Sequence, residues 1–375
     1  MNPPSPPSSL TALVESPGVD RASRRDILML FASTRIFILA VGYACFYSYY
    51  PGEPPAPPGY DSTQGALTWN PLTLLNFYDV SNYLSIAAEG YSPRQTPFFP
   101  LYPLFLSLFG GRLWTGIVLS NLFFLASLAV LNRLWGRSAV LAAVLSPIGI
   151  YFMTVYTESL YLLVSSLTLL AVRERRWMKG GLFAGLAALT RPVGWSVLPP
   201  FALYAFSHGM RRWKPILLAL GLTMLYPLYL GLRFGHPLLF LEHESSRFTR
   251  QLVIPGWGLV SDLRHVIRGE VPAEWTMMFI FNAVGVLLLG LGLRRFTGIL
   301  ETERFWLYTL CYLLFILATP ITDFAYLPAT HAALRYAFAC APIYALVGSR
   351  KPLLVAMLPL QVMVTLMVAV KWFIA

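Results

Sequence analysis

The chain has 375 residues, 57% of them hydrophobic and only 12% charged, against roughly 25% charge in soluble domains. Mean hydropathy is +0.61, and apolar runs recur along nearly the whole length. This excludes a soluble domain with one anchor and predicts an all-α polytopic membrane protein. A formal net charge of +11 then reads as the positive-inside bias of membrane loops, and no nucleic-acid partner is expected.

In chain order, residues 1–26 are rich in Pro and Ser and end in a basic run, RASRR (21–25). They read as a disordered cytoplasmic N-terminus. Residues 27–375 read as one transmembrane domain. The first apolar span, 27–50, is too long for a signal-peptide core and lacks a small-residue cleavage pattern, so it reads as an uncleaved helix. Further spans fall at 113–132, 138–153, 157–172, 180–192, 193–208, 214–233, 275–293, 305–320, 335–348 and 352–372. That is a bundle of about eleven, several of them shorter than the ~20 residues of a straight crossing. The run 138–172 is split at SPIG (146–149).

With the N-terminus inside, every inner connection carries at least two basic residues. Examples are Arg133 with Arg137, the Arg173–Lys179 cluster, Arg294 with Arg295, and Arg350 with Lys351. That is the orientation the Lys/Arg rule predicts. Two outer loops are long, about 51–112 and 234–274. The first opens on PGEPPAPPGY (51–60), an extended surface stretch. It continues into LTLLNFYDVSNYLSIAAEGY, whose near-helical apolar spacing predicts interfacial helices. FFPLYPLFLSLFGG (98–111) is apolar but short, which suits a re-entrant or interfacial segment.

Asp79, Glu89, Glu158, Arg191, Asp323, His331 and Arg335 all fall near the outer face in this threading. Ionisable groups at span ends are costly unless they face a cavity, which makes them functional candidates. Asp79 lies among Asn76, Tyr78, Asn82 and Tyr83, the setting of a base at the membrane surface, although it also fits a helix cap. Glu89 precedes Gly90 and also fits a solvated helix end. Glu158 opens a span, where the helix dipole favours an acid. Arg191 also fits a snorkelling side chain. Arg335 opens a late span, where the dipole disfavours a cation unless an anion is near. Arg35, inside the first span, is expected to pair within the bundle. His236, Glu242, His243 and Glu244 have metal-capable atoms, but their spacing matches no standard site, and they read as a solvated loop. Cys45, Cys311 and Cys340 lie in apolar spans without metal-type spacing and read as inert core.

Several segments together carry a resemblance. NFYDVSNYLSIAAEGY (76–91) followed by FFPLYPLFLSLFG (98–110) resembles the region around the Trp-Asp pair of the GPI mannosyltransferase 2 family, including its bacterial relatives. SPIGIYFMTVYTESLYLL (146–163), GGLFAGLAALTRPVGWSVLPP (180–200), FGHPLLFLEHESSRF (234–248) and LRYAFACAPIYALVG (334–348) resemble later segments of that family, in its order, over about residues 70–350. The family is similar to the GT-C glycosyltransferases, multispan enzymes that take a sugar from a polyprenyl phosphate and use an acid in the first outer loop. The resemblance implies a GT-C-like bundle in which Asp79 is that acid. Tyr78 stands where the family carries Trp, which keeps an aromatic wall.

The chemistry so implied is transfer of a sugar, mannose first, from a polyprenyl-phosphate-linked donor to a lipid-linked or glycan acceptor at the bilayer, with inversion. Asp79 removes the acceptor proton. Arg335, with Arg191 or His331, holds the phosphate. Tyr78, Asn82, Tyr83, Glu89, Tyr91 and Glu158 are the candidate substrate-binding residues. No nucleotide sugar is needed on this side, so no phosphate-binding glycine loop is expected; no cofactor is implied and no metal ligand is assigned. The compact loops suit a bacterial cytoplasmic membrane protein; a eukaryotic member would sit in the endoplasmic reticulum. The alternatives are the same architecture with another sugar, a transporter or lipid flippase, and a non-catalytic membrane subunit. A transporter predicts repeated halves and charges near the midplane, whereas this chain gathers its ionisable groups at one face.

Overall fold

Inside a bilayer no water satisfies the backbone, so N–H and C=O groups must pair within the protein, and helices do this within a single segment. The computed structural model describes residues 20–49, 71–207, 213–299, 305–322 and 327–370. Asp323, the Pro-rich stretch 51–60 and residues 1–19 of the expected disordered N-terminus lie outside them. The helices are α1 (Arg24–Tyr49), α2 (Val80–Glu89), α3 (Leu101–Leu108), α4 (Leu113–Trp135), α5 (Arg137–Val144), α6 (Glu158–Arg173), α7 (Trp177–Ala188) and α8 (Leu198–Ser207). They continue with α9 (Trp213–Phe234), α10 (Leu239–Arg247), α11 (Trp257–Ile267), α12 (Ala273–Ile299), α13 (Phe305–Ala318), α14 (Ala333–Ala339), α15 (Pro342–Gly348) and α16 (Lys351–Ala369). Short 3-10 turns occupy Pro71–Leu75, Pro93–Gln95 and Pro192–Val197. Among the described residues the only β pairing is one isolated bridge, Arg250 to Ile321.

Five helices are long and apolar enough to cross a membrane: α1, α4, α9, α12 as far as Leu293, and α16. Their outer faces carry exposed leucines and valines, such as Leu122, Leu232 and Val355, as a lipid-facing surface requires. The expectation of about eleven spans is therefore met by fewer full-length helices. Two expected spans differ most, and one expected boundary is kept. Residues 138–153 form only α5 and then irregular turns, and 335–348 is two short helices parted at Cys340–Ala341; the boundary expected between 180–192 and 193–208 is there, as the 3-10 turn at Pro192–Val197 between α7 and α8.

The irregular segment after α5 survives in the interior because side chains from other helices satisfy it. Gln361 of α16 donates to the carbonyls of Val144 and Ser146, each at 2.9 Å. Arg35 of α1 donates to the Gly149 carbonyl at 3.1 Å. Arg35 meets no carboxylate among the described residues; its guanidinium lies 4.3 Å from the Phe124 ring centroid and 5.1 Å from that of Phe31. Its pairing within the bundle is thus with a carbonyl and two aromatic faces.

The basic ends gather at one face. The Arg137 amide donates to the Asp20 carbonyl at 2.7 Å. Asn132 exchanges two hydrogen bonds with the backbone of Ala22, both at 2.9 Å. Glu174 pairs with Arg133 at 2.6 Å and with Arg176 at 3.2 Å. The other end of α6 begins at Glu158. Fifteen residue steps of about 1.5 Å separate Glu158 from Arg173, so the two ends are about 22 Å apart.

Helices α7 and α9 meet closely. A Cβ at Gly181 would lie 2.2 Å from the Pro215 carbonyl oxygen, and one at Gly185 would lie 2.7 Å from Leu222. Small residues four apart let helix backbones approach in this way.

Candidate functional site

A cavity of about 260 Å³ opens between α2, the 97–99 segment, the turn after α7, α10 and the start of α14. Its polar lining includes Asp79, Arg191, Glu244, Arg250, His331 and Arg335. Six of the sequence candidates thus converge: Asp79, Tyr83, Arg191, His331 and Arg335 line the cavity, and Glu158 sits directly behind its arginines.

Asp79 precedes the first turn of α2 in N-cap position but makes no side-chain cap. Its backbone N–H donates to the Tyr156 hydroxyl at 3.2 Å, which holds the start of α2 against the 146–157 segment. The preceding Tyr78 has a left-handed backbone (φ 46°), a conformation disfavoured for bulky residues. Its ring is edge-on to Phe77 at 5.7 Å; it is not part of the cavity wall. Tyr83, one turn into α2, is the aromatic wall, edge-on to Phe98 at 5.2 Å and Tyr102 at 5.6 Å.

Glu158 begins α6 and is completely buried. Its Oε1 lies 3.0 Å from Arg191 Nη1 and 3.3 Å from Arg335 Nε. The Arg191 contact is a hydrogen bond; the Arg335 contact is at ion-pair distance but out of hydrogen-bond alignment. Arg335 Nη1 lies 3.9 Å from Asp79 Oδ2. Nε and Nη1 of Arg335 are buried and make no hydrogen bond among the described residues; what they face are the carboxylates of Glu158 and Asp79. The side chain of Asp79 is 25% exposed and that of Glu158 is 1%. Asp79 is reachable from the cavity, whereas Glu158 is a buried counter-ion to the two arginines.

The local fold explains the arginines. Arg191 follows α7 with an extended backbone, and the chain then turns back onto that helix. A Cβ at Gly194 would lie 2.0 Å from the Ala187 carbonyl oxygen, so only glycine allows this return. Arg191 stacks over Tyr336 at 4.6 Å, and Arg250 and Arg335 lie 5.5 and 5.7 Å from the same ring. Such stacking is a specific property of the guanidinium plane. Arg250 donates to the carbonyls of Thr319 (2.8 Å) and His331 (3.1 Å).

Asp262 of α11 fixes the turn that leads to Arg335. Its carboxylate accepts from the Ala329 amide at 2.7 Å and from the Thr330 amide and hydroxyl at 2.9 and 2.7 Å. Asn282 accepts from the Leu334 amide at 2.9 Å. The first N–H groups of α14 are already engaged, and α14 has only seven residues. The positive charge at this wall of the cavity is that of the Arg335 side chain, not of the helix end.

The remaining candidates lie elsewhere. Glu89 is exposed at the C-terminal end of α2, outside the cavity. Tyr91 lines a neighbouring apolar cavity of about 350 Å³ with Ile86, Leu101, Leu104, Tyr226 and Tyr229. Asn82 faces a third, polar opening. His331 is buried; burial, then Arg250 and Arg335, hold its imidazole well below the usual histidine range, so it acts there as a neutral group and adds no charge.

The sequence reading missed Arg250 and treated Glu244 as part of a solvated loop. The loop sends its members different ways: His243 bonds to Thr96 at 3.0 Å, while Glu244 faces the cavity. Burial pushes the Glu244 carboxyl up from 4.5 to about 7; Arg250 opposes this, Asp79 adds to it and Arg191 opposes it. Unfolded chain loses this proton near 4.5, so Glu244 lowers stability progressively between there and about 7. Above about pH 7 Glu244 adds a negative charge to the cavity that the three arginines line. Sulfate binding, read by calorimetry, is therefore expected to weaken as pH rises through about 7. Glu244→Gln should remove that pH dependence, and a wild-type curve flat from pH 6 to 8 would contradict it.

Comparison of the chain with protein-family models, curated proteins and solved structures found no match.

Proposed function

We propose that this protein is a membrane glycosyltransferase that moves a sugar from a polyprenyl-phosphate donor to an acceptor hydroxyl, on the face opposite its basic loops. The observation that carries the reading is the pairing of a reachable carboxylate, Asp79, with Arg335 at 3.9 Å across one cavity. Asp79 takes the acceptor proton as the new bond forms to the anomeric carbon. The bond from that carbon to the phosphate oxygen breaks, and the polyprenyl phosphate leaves toward Arg335. Orientation, proton removal and stabilisation of the leaving charge are what such a transfer needs. Direct displacement inverts the anomeric centre. The apolar cavity beside Tyr91 and Tyr226 has the character suited to a prenyl segment, and the positive-inside rule puts the basic ends in the cytoplasm. A bacterial cytoplasmic membrane is the proposed location.

The deciding experiment incubates purified protein with polyprenyl-phosphate-mannose and a membrane-lipid extract. A new mannose-bearing product is expected; none with mannose or other polyprenyl-linked sugars would sink the reading.

Arg335→Ala is expected to raise donor KM at least ~10-fold, from roughly 1.5–3 kcal/mol of lost charged hydrogen bonding. Acceptor KM should change far less. Arg335→Lys keeps the charge but loses the planar fork and should fall between. Unchanged donor dependence in a folded Arg335→Ala variant would move phosphate binding to Arg191 or Arg250.

A further inference from the structure

Helix α11 has two faces with different surroundings. On one face Gly258 and Asp262, four residues apart, are buried. A Cβ at Gly258 would lie 2.9 Å from Pro320 and 3.3 Å from Ala329, so the helix backbone rests directly on the segments before α14. On the other face Val260, Leu263 and Ile267 follow at spacings of three and four, which places them in one row. They project away from the protein: Val260 is 69% and Ile267 75% exposed. The segment leading into the helix adds Leu252 and Ile254, both more exposed still. A patch of this kind against water marks a contact surface.

Contacts on the buried side fix the depth of this row. The Val253 and Gly256 amides donate to the carbonyls of Ala318 and Leu317, at 2.9 and 3.1 Å, at the C-terminal end of the apolar helix α13. The His265 ring stands edge-on to Trp275 at 6.4 Å, in the first turn of α12, a helix long enough to span. Asp262 holds the Ala329 and Thr330 amides beside the cavity. Helix α11 therefore lies across the cavity-side ends of two apolar helices, where the hydrocarbon layer stops. Farther along α12 the exposed apolar surface continues at Ile280 and Leu287. Arg264 and Arg268, both exposed, flank the row; Arg268 reaches Glu270 at 3.6 Å in a half-exposed pair. Long basic side chains beside an apolar face keep their stems in lipid and their charges at the headgroups.

We propose that α11 is a membrane-surface helix of the cavity-side leaflet, with Val260, Leu263 and Ile267 in the acyl boundary of the phospholipid and Arg264 and Arg268 at its phosphates. Such a helix lies in the plane of the interface with its apolar face about 5–10 Å into the boundary. The occupant is lipid because the row adjoins the lipid-facing surface of α12 and is edged by basic groups. Through Asp262 the seated helix also holds the turn that delivers His331 and Arg335. The lipid contact does not depend on which reaction the cavity performs.

The test places a bimane fluorophore at single cysteines in the full chain, in phosphatidylcholine nanodiscs. Cys45 and Cys311, which are partly buried, are first replaced by Ala; buried Cys340 stays. The labelled variants are Val260→Cys, Leu263→Cys, Ile267→Cys and Arg268→Cys. One quencher is aqueous iodide, and the other is phosphatidylcholine with a nitroxide near the top of its acyl chain. The labels at 260, 263 and 267 should be quenched by the lipid nitroxide, with iodide quenching at least about fivefold below that of the free fluorophore. The label at 268, on the polar edge, should be quenched more by iodide and less by the lipid. Iodide quenching at 260 and 267 near the free-fluorophore value would put this face in water and overturn the proposal. Protection from both quenchers would mean that a second copy or another protein covers the row, and would overturn it as well. So would equal lipid quenching at all four positions, which means a helix sunk in hydrocarbon rather than lying at its surface.

Discussion

Asp79→Asn is expected to abolish sugar transfer, with a loss of ~10²-fold or more in kcat, in a protein that still folds. The amide keeps the shape of the side chain but cannot accept a proton. Folding should survive because the link from this position to the 146–157 segment is made by the Asp79 backbone N–H, which reaches the Tyr156 hydroxyl at 3.2 Å. The carboxylate itself is 25% exposed and stands 3.9 Å from Arg335, a separation at which a partly solvated pair adds little stability. The measurement is turnover beside a thermal unfolding curve. Near-normal turnover would move the base to another carboxylate, and Glu244 is the one that also faces the cavity.

Glu158→Gln should do the reverse, reducing stability before chemistry. Glu158 is buried completely and faces two buried arginines at 3.0 and 3.3 Å. Removing one partner from a buried ion-pair network leaves uncompensated charge and costs about 3–5 kcal/mol. For a chain of this size that is a fall in unfolding midpoint on the order of 10 °C. Adding Arg191→Leu to Glu158→Gln should recover part of the loss, since it removes one of the stranded cations. A midpoint equal to wild type in Glu158→Gln would mean that this network does not stabilise the bundle. In that case Glu158 would join the substrate-binding groups.

These two variants separate roles that look alike in the sequence. Both acids sit at the start of a helix beside tyrosines, in NFYDVSNY and VYTESLYLL. Their helical positions are the same kind; their exposure differs because α2 begins on the cavity wall and α6 begins behind it.

The amino-acid sequence by itself determined the class and much of the helix layout. Low charge and long apolar runs admit little besides membrane helices, and the limits of α1, α4, α9 and α16 follow runs of hydropathy closely. It also singled out Asp79, Glu158, Arg191, His331 and Arg335, because ionisable residues stand out against an apolar background. Three matters were decided only by tertiary structure. Hydropathy cannot tell a spanning helix from an irregular buried segment when distant groups satisfy the backbone, as Gln361 does for Val144 and Ser146; the number of full-length helices therefore fell. Spacing within one segment cannot show that Arg250 from the turn after α10 shares a tyrosine ring with Arg191 and Arg335, so that cation was missed. Nor can it show that adjacent His243 and Glu244 serve different openings, since which face of α10 meets which neighbour is set by packing against α2 and the 92–99 segment rather than by local sequence.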